Sequence, residues 1–210
     1  MKDIILFGVQ GSGKGTQAKI LVSKYGYKIF ETGAELRLMA KSDAELGKKV
    51  KSIIESGKLV DTNIIIEIVE SFCFNLKNED KVIFDGFPRN MEQMILFEKI
   101  MKKIGKNPYA VHIHLTKAEA LDRLLKRFTC EGVDMSKNPL MTEAECIALG
   151  GKVVRRNDDN ENSIKVRIEA FENETIPVIS EYKKLDRCIE VNGNRTLEEV
   201  TEEIEEKMFF

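Results

Sequence analysis

Residues 3–21 read DIILFGVQGSGKGTQAKIL, an apolar run followed by a glycine-rich loop and the first turns of a helical pattern. Glycines at positions 8, 11, 13 and 15 allow the backbone to fold around an anion with its N–H groups pointing inward. The positive N-terminal end of the following helix faces the same anion, and Lys14 adds a full charge. A strand, a glycine-rich loop and a helix in this order form a P-loop, so the stretch predicts binding of nucleotide phosphates.

The loop departs at one position from the common P-loop pattern G-x-x-x-x-G-K-[ST]. Gly15 follows the lysine directly, and the hydroxyl comes one residue later at Thr16. A glycine-rich stretch by itself can also be a simple connection between two elements. The apolar run before it and the amphipathic pattern after it favour phosphate binding over that alternative.

Length and charge narrow the classes of protein that fit this chain. With 210 residues, the chain is long enough for one domain with a small insertion. The formal net charge is −2 and the two signs are mixed along the sequence, which argues against nucleic-acid binding and against attachment to a membrane surface. Because no apolar run approaches the ~20 residues of a membrane span and the first residues do not resemble a signal peptide, we expect a cytoplasmic protein with a small-molecule partner.

Cysteine usage supports the same compartment. The four cysteines, at positions 73, 130, 146 and 188, are few and scattered for a chain of this length. Disulfide frameworks occur mainly in small, cysteine-rich secreted domains. We therefore expect free thiols.

Apolar strand-like runs alternate with helical patterns along the chain. The alternation predicts an α/β fold in which a doubly wound, five-stranded parallel sheet is flanked by helices. The predicted strands are Asp3–Phe7, Lys28–Thr32, Lys81–Asp85, Ala110–Leu115 and Arg187–Val191. After the helix of the P-loop, helical periodicity covers Ala44–Glu55, Asn63–Leu76 (with Asp61 or Thr62 as its cap), Met91–Lys103, Lys117–Arg127, Asn162–Lys184 and Thr196–Phe210.

Residues 128–157 interrupt this alternation with a polar stretch of little periodicity. A loop of ~30 residues inside a compact domain is usually a lid or a small inserted subdomain. Arginines at its borders are either an ordinary charged surface or groups that a lid delivers to a transferring phosphoryl. We predict a P-loop core of residues 1–127 and 158–210, with residues 128–157 as a lid.

Further motifs occur in one order along almost the whole chain: ETGAELR at 31–37, GKLV at 57–60, DGFPR at 85–89 and R-x-D-D at 156–159. Together with the GKGT of the P-loop, they resemble the adenylate kinases of the nucleoside monophosphate kinase family. The resemblance implies a reversible, Mg2+-dependent phosphoryl transfer in which ATP and AMP give two ADP. It also implies that ATP, AMP and ADP are the partners, that residues 31–60 bind the monophosphate, and that the chain acts as a monomer, although trimers exist in the wider family.

The resemblance carries roles onto individual positions of this sequence. ATP would be held by Gly11, Ser12, Gly13, Lys14, Gly15, Thr16, Arg123, Arg127 and Arg195. AMP would be held by Thr32, Gly33, Arg37, Leu59, Val60, Gly86, Arg89, Gln93, Arg156 and Arg167. Catalysis would rest on the charged set Lys14, Arg89, Arg127, Arg156, Arg167, Asp158 and Asp159. The metal Mg2+ and its waters would lie near Thr16 and Asp85.

Two departures from the family pattern bear on the substrate. The family usually has an acid after the Thr-Gly pair, where this chain has Ala34. Asn90 extends the DGFPR motif to a phrase that pyrimidine monophosphate kinases share, so a UMP/CMP kinase is an alternative, and the sequence leaves a GTP:AMP phosphotransferase open as well. Gln93, whose amide can pair with an adenine edge, and the long lid favour AMP as the acceptor.

Two other classes of protein are also compatible with a P-loop. A switch or motor ATPase transfers phosphate to water and has no use for a second phosphate-gripping arm, so Arg37 and Arg89 argue against it. A non-catalytic nucleotide-binding module is disfavoured because Lys14, Asp85 and the arginines are all present.

The lid of long-lid relatives often binds zinc through two Cys-x-x-Cys knuckles, and here only Cys130 and Cys146 remain. Structural zinc needs four ligands, which the residues at the other two knuckle positions, Val133 and Leu149, cannot complete. His112 and His114 fall in the predicted fourth strand and are packing or polar sheet residues. We expect no structural zinc and a lid held by an apolar cluster of Val133, Met135, Leu140, Leu149 and Val153. A disulfide between Cys130 and Cys146 is an alternative that a reducing cytoplasm disfavours.

Overall fold

The computed structural model describes residues 1–42, 44–56, 58–133, 138, 141–155 and 160–209. Its strands are β1 (Ile4–Phe7), β2 (Lys28–Glu31), β3 (Val82–Asp85), β4 (Tyr109–His114), β5 (Thr129–Glu131), β6 (Lys152–Val154) and β7 (Cys188–Asn192). Its helices are α1 (Lys14–Tyr25), α2 (Thr32–Met39), α3 (Glu45–Glu55), α4 (Thr62–Phe74), α5 (Met91–Lys103), α6 (Lys117–Lys126), α7 (Glu143–Ala148), α8 (Glu161–Ala170), α9 (Ile176–Lys184) and α10 (Leu197–Phe209). Within the described residues, one parallel sheet has the order β2-β3-β1-β4-β7. This confirms the doubly wound, five-stranded sheet.

β1 is the central strand of the sheet and is buried along its whole length. Ile5 and Phe7 pack into one core layer, which includes the helices after β2 and β3, whereas Ile4 and Leu6 pack into the opposite layer with α1 and α10. Burying one such side chain fully stabilises the fold by about 1.5–3 kcal/mol. An uninterrupted apolar strand is what a parallel sheet covered on both faces requires, and it holds the P-loop at the carboxyl edge of the sheet.

Side-chain caps explain where several helices begin. Asp61 accepts a hydrogen bond from the Asn63 N–H, which confirms Asp61 as the cap of α4. Asn90 accepts from the Gln93 N–H at the start of α5. At α6, Thr116 caps the backbone of the third helical residue, whose glutamate side chain caps Thr116 in return. Asn90 thus has a structural role that does not depend on which nucleobase the protein binds.

The long helix predicted over residues 162–184 is interrupted in the structure. α8 ends at Ala170, a π-helical segment runs from Phe171 to Thr175, and α9 follows. Pro177, in the first turn of α9, cannot donate a backbone N–H to the carbonyl four residues earlier, and its ring would collide with that carbonyl in a regular helix. Among the described residues, no helix is long and apolar enough to cross a bilayer.

The lid has more regular structure than its sequence indicated. β5 and β6 pair antiparallel, with Cys130 opposite Val153. α7 lies between them in sequence and begins with a reciprocal cap between Thr142 and Glu145. These short elements depend on pairing between separate parts of the lid, and such pairing leaves no periodic signal in the sequence.

The expectation that all four cysteines are free thiols is wrong. Cys130 and Cys146 form a disulfide bond with Cα atoms 5.8 Å apart, while Cys73 and Cys188 are free. Cysteine count and spacing indicate a compartment, but they do not show which thiols the folded chain brings together. Here the strand pair and α7 place both cysteines in one buried cluster.

The predicted apolar cluster of the lid is partly wrong. Its buried members are Cys130, Met141 and Cys146, with Phe128, Val133 and Val153 packed against them. Leu149, which follows the last turn of α7, is 63% exposed and is not part of this cluster. Met135 and Leu140, also predicted for this cluster, lie outside the described residues.

Candidate active site

A cleft of about 1680 Å³ opens at the carboxyl ends of β1 and β3, where the chain switches from one side of the sheet to the other. Seventeen of the residues predicted for the site from the sequence line this cleft: Gly11, Ser12, Gly13, Lys14, Gly15, Thr16, Gly33, Arg37, Leu59, Val60, Asp85, Gly86, Arg89, Arg123, Arg127, Arg167 and Arg195. Arg156, Asp158 and Asp159 lie outside the described residues.

The P-loop closes tightly over the end of β1. A Cβ atom at Gly8 would lie 2.5 Å from the Ile113 carbonyl oxygen and 2.4 Å from the Ser12 hydroxyl, so only glycine fits there. Gly13 is the N-cap of α1, with φ of 94°, and forms no side-chain cap. The first turn of α1 therefore presents its positive end to the cleft without a side chain in the way.

Lys14 lies on the floor of the cleft. Its Nζ donates to the carbonyl oxygens of Gly8 and Val9, at 2.6 and 3.1 Å. Burial is the main cause that lowers the pKa of Lys14 from 10.5 to about 8, while Asp85 opposes the shift and the positive charges of Arg89 and Arg127 contribute to it. An ammonium group crowded by other cations gains most when a phosphate enters the cleft.

Three guanidinium groups that line the cleft, those of Arg37, Arg89 and Arg167, lie close to one another. Burial lowers the pKa of Arg89, and the charges of Arg167 and Arg37 act in the same direction, while Asp85 raises it. Arg89 Nε donates to the Gly86 carbonyl at 2.8 Å, and Arg167 Nη2 lies 3.4 Å from the Ile54 carbonyl oxygen. Cations held together in this way form a site for an anion.

A second set of contacts shapes the part of the cleft beyond the P-loop. Arg123 Nη2 donates to the Gly193 carbonyl at 3.0 Å, which ties α6 to the loop between β7 and α10. Arg195, on the same loop, is largely exposed and pairs with Glu203 at 3.3 Å. Both arginines, which the sequence assigns to ATP, therefore border the cleft.

Two carboxylates lie beside the first turn of α1. β2 and β3 are paired with Glu31 opposite Asp85, at the carboxyl ends of both strands. A Cβ atom at Gly15 would lie 3.6 Å from Asp85 Oδ2 and 4.0 Å from Glu31 Oε1. Glu31 was not among the predicted site residues, although an acid at the end of a strand is the same signal that identified Asp85.

The donor set around Gly15 fits Mg2+. This ion is commonly held by one or two carboxylates together with substrate phosphates and water, and it does not need a cage of protein ligands. Asp85, Glu31 and the hydroxyl of Thr16 supply oxygen atoms of that kind at the edge of the phosphate loop. Within the described part of the chain, no three His, Cys, Asp or Glu side chains group into a metal site.

Thr32 and Gln93, both predicted to hold AMP, are buried and do not line the cleft in this structure. Gln93 is 2% exposed, and its Oε1 accepts from the Arg89 backbone N–H at 2.8 Å. Thr32 Oγ1 donates to the Asp85 carbonyl at 3.3 Å. Both side chains thus contact the backbone of the residues that line the site.

Comparisons with known proteins agree with this arrangement. The family model described as "Adenylate kinase" matches residues 6–187. An "Adenylate kinase" of Chloroherpeton thalassium is 35% identical over 210 residues, covering 97% of this chain and 96% of that protein. Proteins of the same name from Pelagibacter ubique and Methanosarcina barkeri are 32% and 33% identical, with 97% and 96% of this chain covered and 98% and 96% of theirs. These matches support the function of a nucleoside monophosphate kinase, a phosphotransferase, and the chain belongs to the adenylate kinase family.

Proposed function

We propose that the cleft transfers the terminal phosphoryl group of ATP, held on the P-loop, to AMP, whose phosphate is held by Arg37 and Arg89. The observation that carries this proposal is the presence of two cationic groups on one cavity. Lys14 lies at the P-loop, the guanidinium cluster contains Arg37, Arg89 and Arg167, and Asp85 acts on the pKa of both Lys14 and Arg89. Transfer between two phosphate-bearing substrates needs two such groups, whereas hydrolysis of one nucleotide needs a single one.

The charges of the cleft suit the transferring group. Phosphoryl transfer spreads negative charge over three equatorial oxygens, so catalysis rests mainly on positioning and on fixed positive charge. Arg127 lies close enough to Lys14 to lower its pKa, and Arg167 acts on Arg89 in the same way. We propose that these two arginines stabilise the transferring group, together with Arg156, while Asp158 and Asp159 hold the arginines of the closed lid.

Mg2+ would be held by Asp85, Thr16 and Glu31, in part through water molecules. When bound, the ion neutralises phosphate charge and orients the donor. The protein side chains bind and align the nucleotides around it. Lys14 and the amides of the P-loop hold the donor phosphates, and no general base is required.

The segments around the core are proposed to close over both substrates. Residues 31–60 would carry AMP, and residues 128–157 would cover ATP. Ser163 Oγ and Arg167 Nη2, one turn apart on α8, donate to Glu55 and Ile54 at the end of α3. These bonds link the helix that follows the lid to the proposed acceptor segment.

We further propose that the protein is a monomer in the cytoplasm, in line with the mixed surface charge. Size-exclusion chromatography with light scattering measures the molar mass in solution and so tests the monomeric state.

Arg89→Ala tests the acceptor assignment. We expect kcat/KM for AMP to fall about 10²–10³-fold because a fixed cation at the transferring site is lost. The dissociation constant of ATP should stay within about twofold, since Arg89 is assigned to the other substrate. Lys184→Ala is the control, because Lys184 lies on α9 away from the cleft, is largely exposed and pairs with Glu181.

Both variants are assayed with ATP or GTP as donor and with AMP, CMP, UMP and GMP as acceptors, and a reaction without acceptor measures hydrolysis. Rapid transfer to AMP alone supports the proposal. Turnover of Arg89→Ala near that of the wild type would contradict the assignment of Arg89. A preference for CMP or UMP would contradict AMP as the acceptor.

A further inference from the structure

Gln17 follows the phosphate loop by one residue, yet its side chain bonds to the other end of the chain. It is 1% exposed. Its Nε2 donates to the Leu197 carbonyl at 3.1 Å, and its Oε1 lies 2.9 Å from the hydroxyl of Thr201. Leu197 and Thr201 belong to the first turns of α10. A single buried amide therefore joins the first turn of α1 to the start of α10.

The Thr201 hydroxyl closes this contact. Its oxygen lies 2.8 Å from the Leu197 carbonyl oxygen as well as 2.9 Å from Gln17 Oε1, so its one proton has two acceptors within reach. Thr201 is itself buried. Away from water these bonds are strong, and a partner left unpaired there is costly, which makes the geometry of the three groups well defined.

The loop that this amide holds borders the cleft. Gly193, Arg195 and Leu197 line the same cavity as the P-loop. Arg123 and the backbone of His114 hold the beginning of the loop, through Gly193, at 3.0 and 2.9 Å. The Gln17 contact holds its end.

We infer that Gln17 is a positioning residue for the donor nucleotide, which sets the distance between the phosphate loop and the loop of residues 193–197. The inference rests on the proposed function, in which the P-loop holds the ATP phosphates, and on the assignment to ATP of Arg123 and Arg195, which contact or belong to the 193–197 loop. Gln17 does not touch the reacting atoms in this scheme. It acts through the Leu197 backbone and Thr201, and a donor bound at both ends senses any change in their separation.

Gln17→Met tests the inference, because methionine keeps the length of the side chain but cannot form either bond. We expect the dissociation constant and the KM of MgATP to rise about five- to tenfold, which corresponds to about 1 kcal/mol, the value of one or two such bonds. The KM of AMP and kcat should change less than about twofold. Titration calorimetry with ATP measures binding without turnover.

Thr201→Val and Thr201→Ser form the matched pair. Valine removes the hydroxyl and should weaken ATP binding as Gln17→Met does. Serine keeps the hydroxyl and should leave ATP binding close to that of the wild type. The double variant Gln17→Met/Thr201→Val should be little worse than either single variant, because both remove one contact. The inference would be overturned if the KM of AMP rose as much as that of MgATP in Gln17→Met. It would also be overturned if Thr201→Ser weakened ATP binding as much as Thr201→Val.

Lys14→Met in the same calorimetry separates this inference from the proposed function. If Lys14→Met weakens ATP binding and Gln17→Met does not, the positioning role is wrong and the donor site stands. If neither variant weakens ATP binding, the placement of ATP on the P-loop is itself wrong. Circular dichroism below the unfolding temperature confirms that each variant is folded before its affinity is compared.

Discussion

The P-loop and the lid border the same cleft, yet different interactions fix their shapes. The P-loop is shaped within residues 8–16 by glycines, and Gly11 and Gly13 have φ angles of 86° and 94° that other residues rarely adopt. The lid is shaped by contacts between positions far apart in sequence. Thr129 pairs with Val154, and Cys130 bonds to Cys146 at a separation of 16 residues.

Substitutions in the two regions should therefore affect different properties of the protein. A substitution in the P-loop changes the groups that contact phosphate, so it should affect chemistry directly and stability little. A substitution in the lid changes a small satellite cluster, which is separate from the two core layers of the sheet. Local packing of that kind should affect closure of the cleft more than global unfolding.

The largest effect is expected from Lys14→Met. Loss of the ammonium group on the floor of the cleft should lower kcat about 10³-fold, because fixed charge at the phosphates supplies most of the catalysis. The unfolding temperature should not fall, since the variant also removes a charge that is held in a desolvated, cation-rich position. Steady-state kinetics and a thermal melt measure both quantities.

Lys99→Met, an exposed lysine on α5, is the control and should behave like the wild type. If Lys14→Met lowers the unfolding temperature as well as kcat, Lys14 contributes to the stability of the fold and not to the chemistry alone.

A smaller effect is expected in the core behind the P-loop, at His112 on β4. His112 is 5% exposed, and Glu190 Oε2 lies 3.5 Å from its Nδ1, too far for a firm hydrogen bond. Burial lowers the pKa of His112 from 6.5 to about 4, with Lys183 and His114 adding to the shift and Glu190 opposing it. Between these two values the unfolded chain binds a proton that the native protein does not.

Stability should therefore fall as the pH is lowered from 6.5 towards 4. The contribution of His112 is about 2–3 kcal/mol, from the difference between its two pKa values. Urea unfolding at pH 7 and at pH 4.5 measures it. His112→Leu should lose this part of the acid sensitivity, while His114→Leu, at the exposed end of the same strand, should keep it. An equal loss of unfolding free energy between pH 7 and pH 4.5 in the wild type and in His112→Leu would refute the prediction.

A smaller effect on activity than that of Lys14→Met is expected from Gly151→Ala in the lid. A Cβ atom there would lie 2.3 Å from Cys130 Sγ and 3.0 Å from Cys146 Sγ, so the strand pair or the disulfide must shift. We expect kcat to fall about tenfold because closure is impaired, with the unfolding temperature changed by less than about 2 °C. Initial rates and calorimetry measure the two quantities.

The same substitution in a Cys130→Ala/Cys146→Ala background provides the control. The effect of Gly151→Ala should be smaller there, because the sulfur atoms that it meets are gone. An undiminished effect in that background would show that the sulfur contacts are not its cause. Thiol titration of the denatured, unreduced wild type should find two free thiols.

Most of the site could be predicted because its residues stand in ordered motifs at the ends of strands. Asp85 and the DGFPR stretch follow β3 directly, so a buried strand and a turn suffice to place them at the cleft. Glu31 could have been found by the same argument applied to β2. Gln17 could not, because its partners lie 180 and 184 residues away and nothing in the sequence near it indicates them.

The amino-acid sequence alone is enough to predict the alternation of strands and helices, the parallel sheet and the phosphate loop, because these follow from periodicity and from glycines that lie close together at positions 8, 11, 13 and 15. The folded structure was needed to identify the break at Phe171, the Cys130–Cys146 disulfide bond and the contact of Gln17 with α10. The bond and the contact require two distant segments to meet, and the break depends on how one proline is accommodated within a packed helix. Residue types alone do not specify such outcomes, which the packing of the whole chain selects.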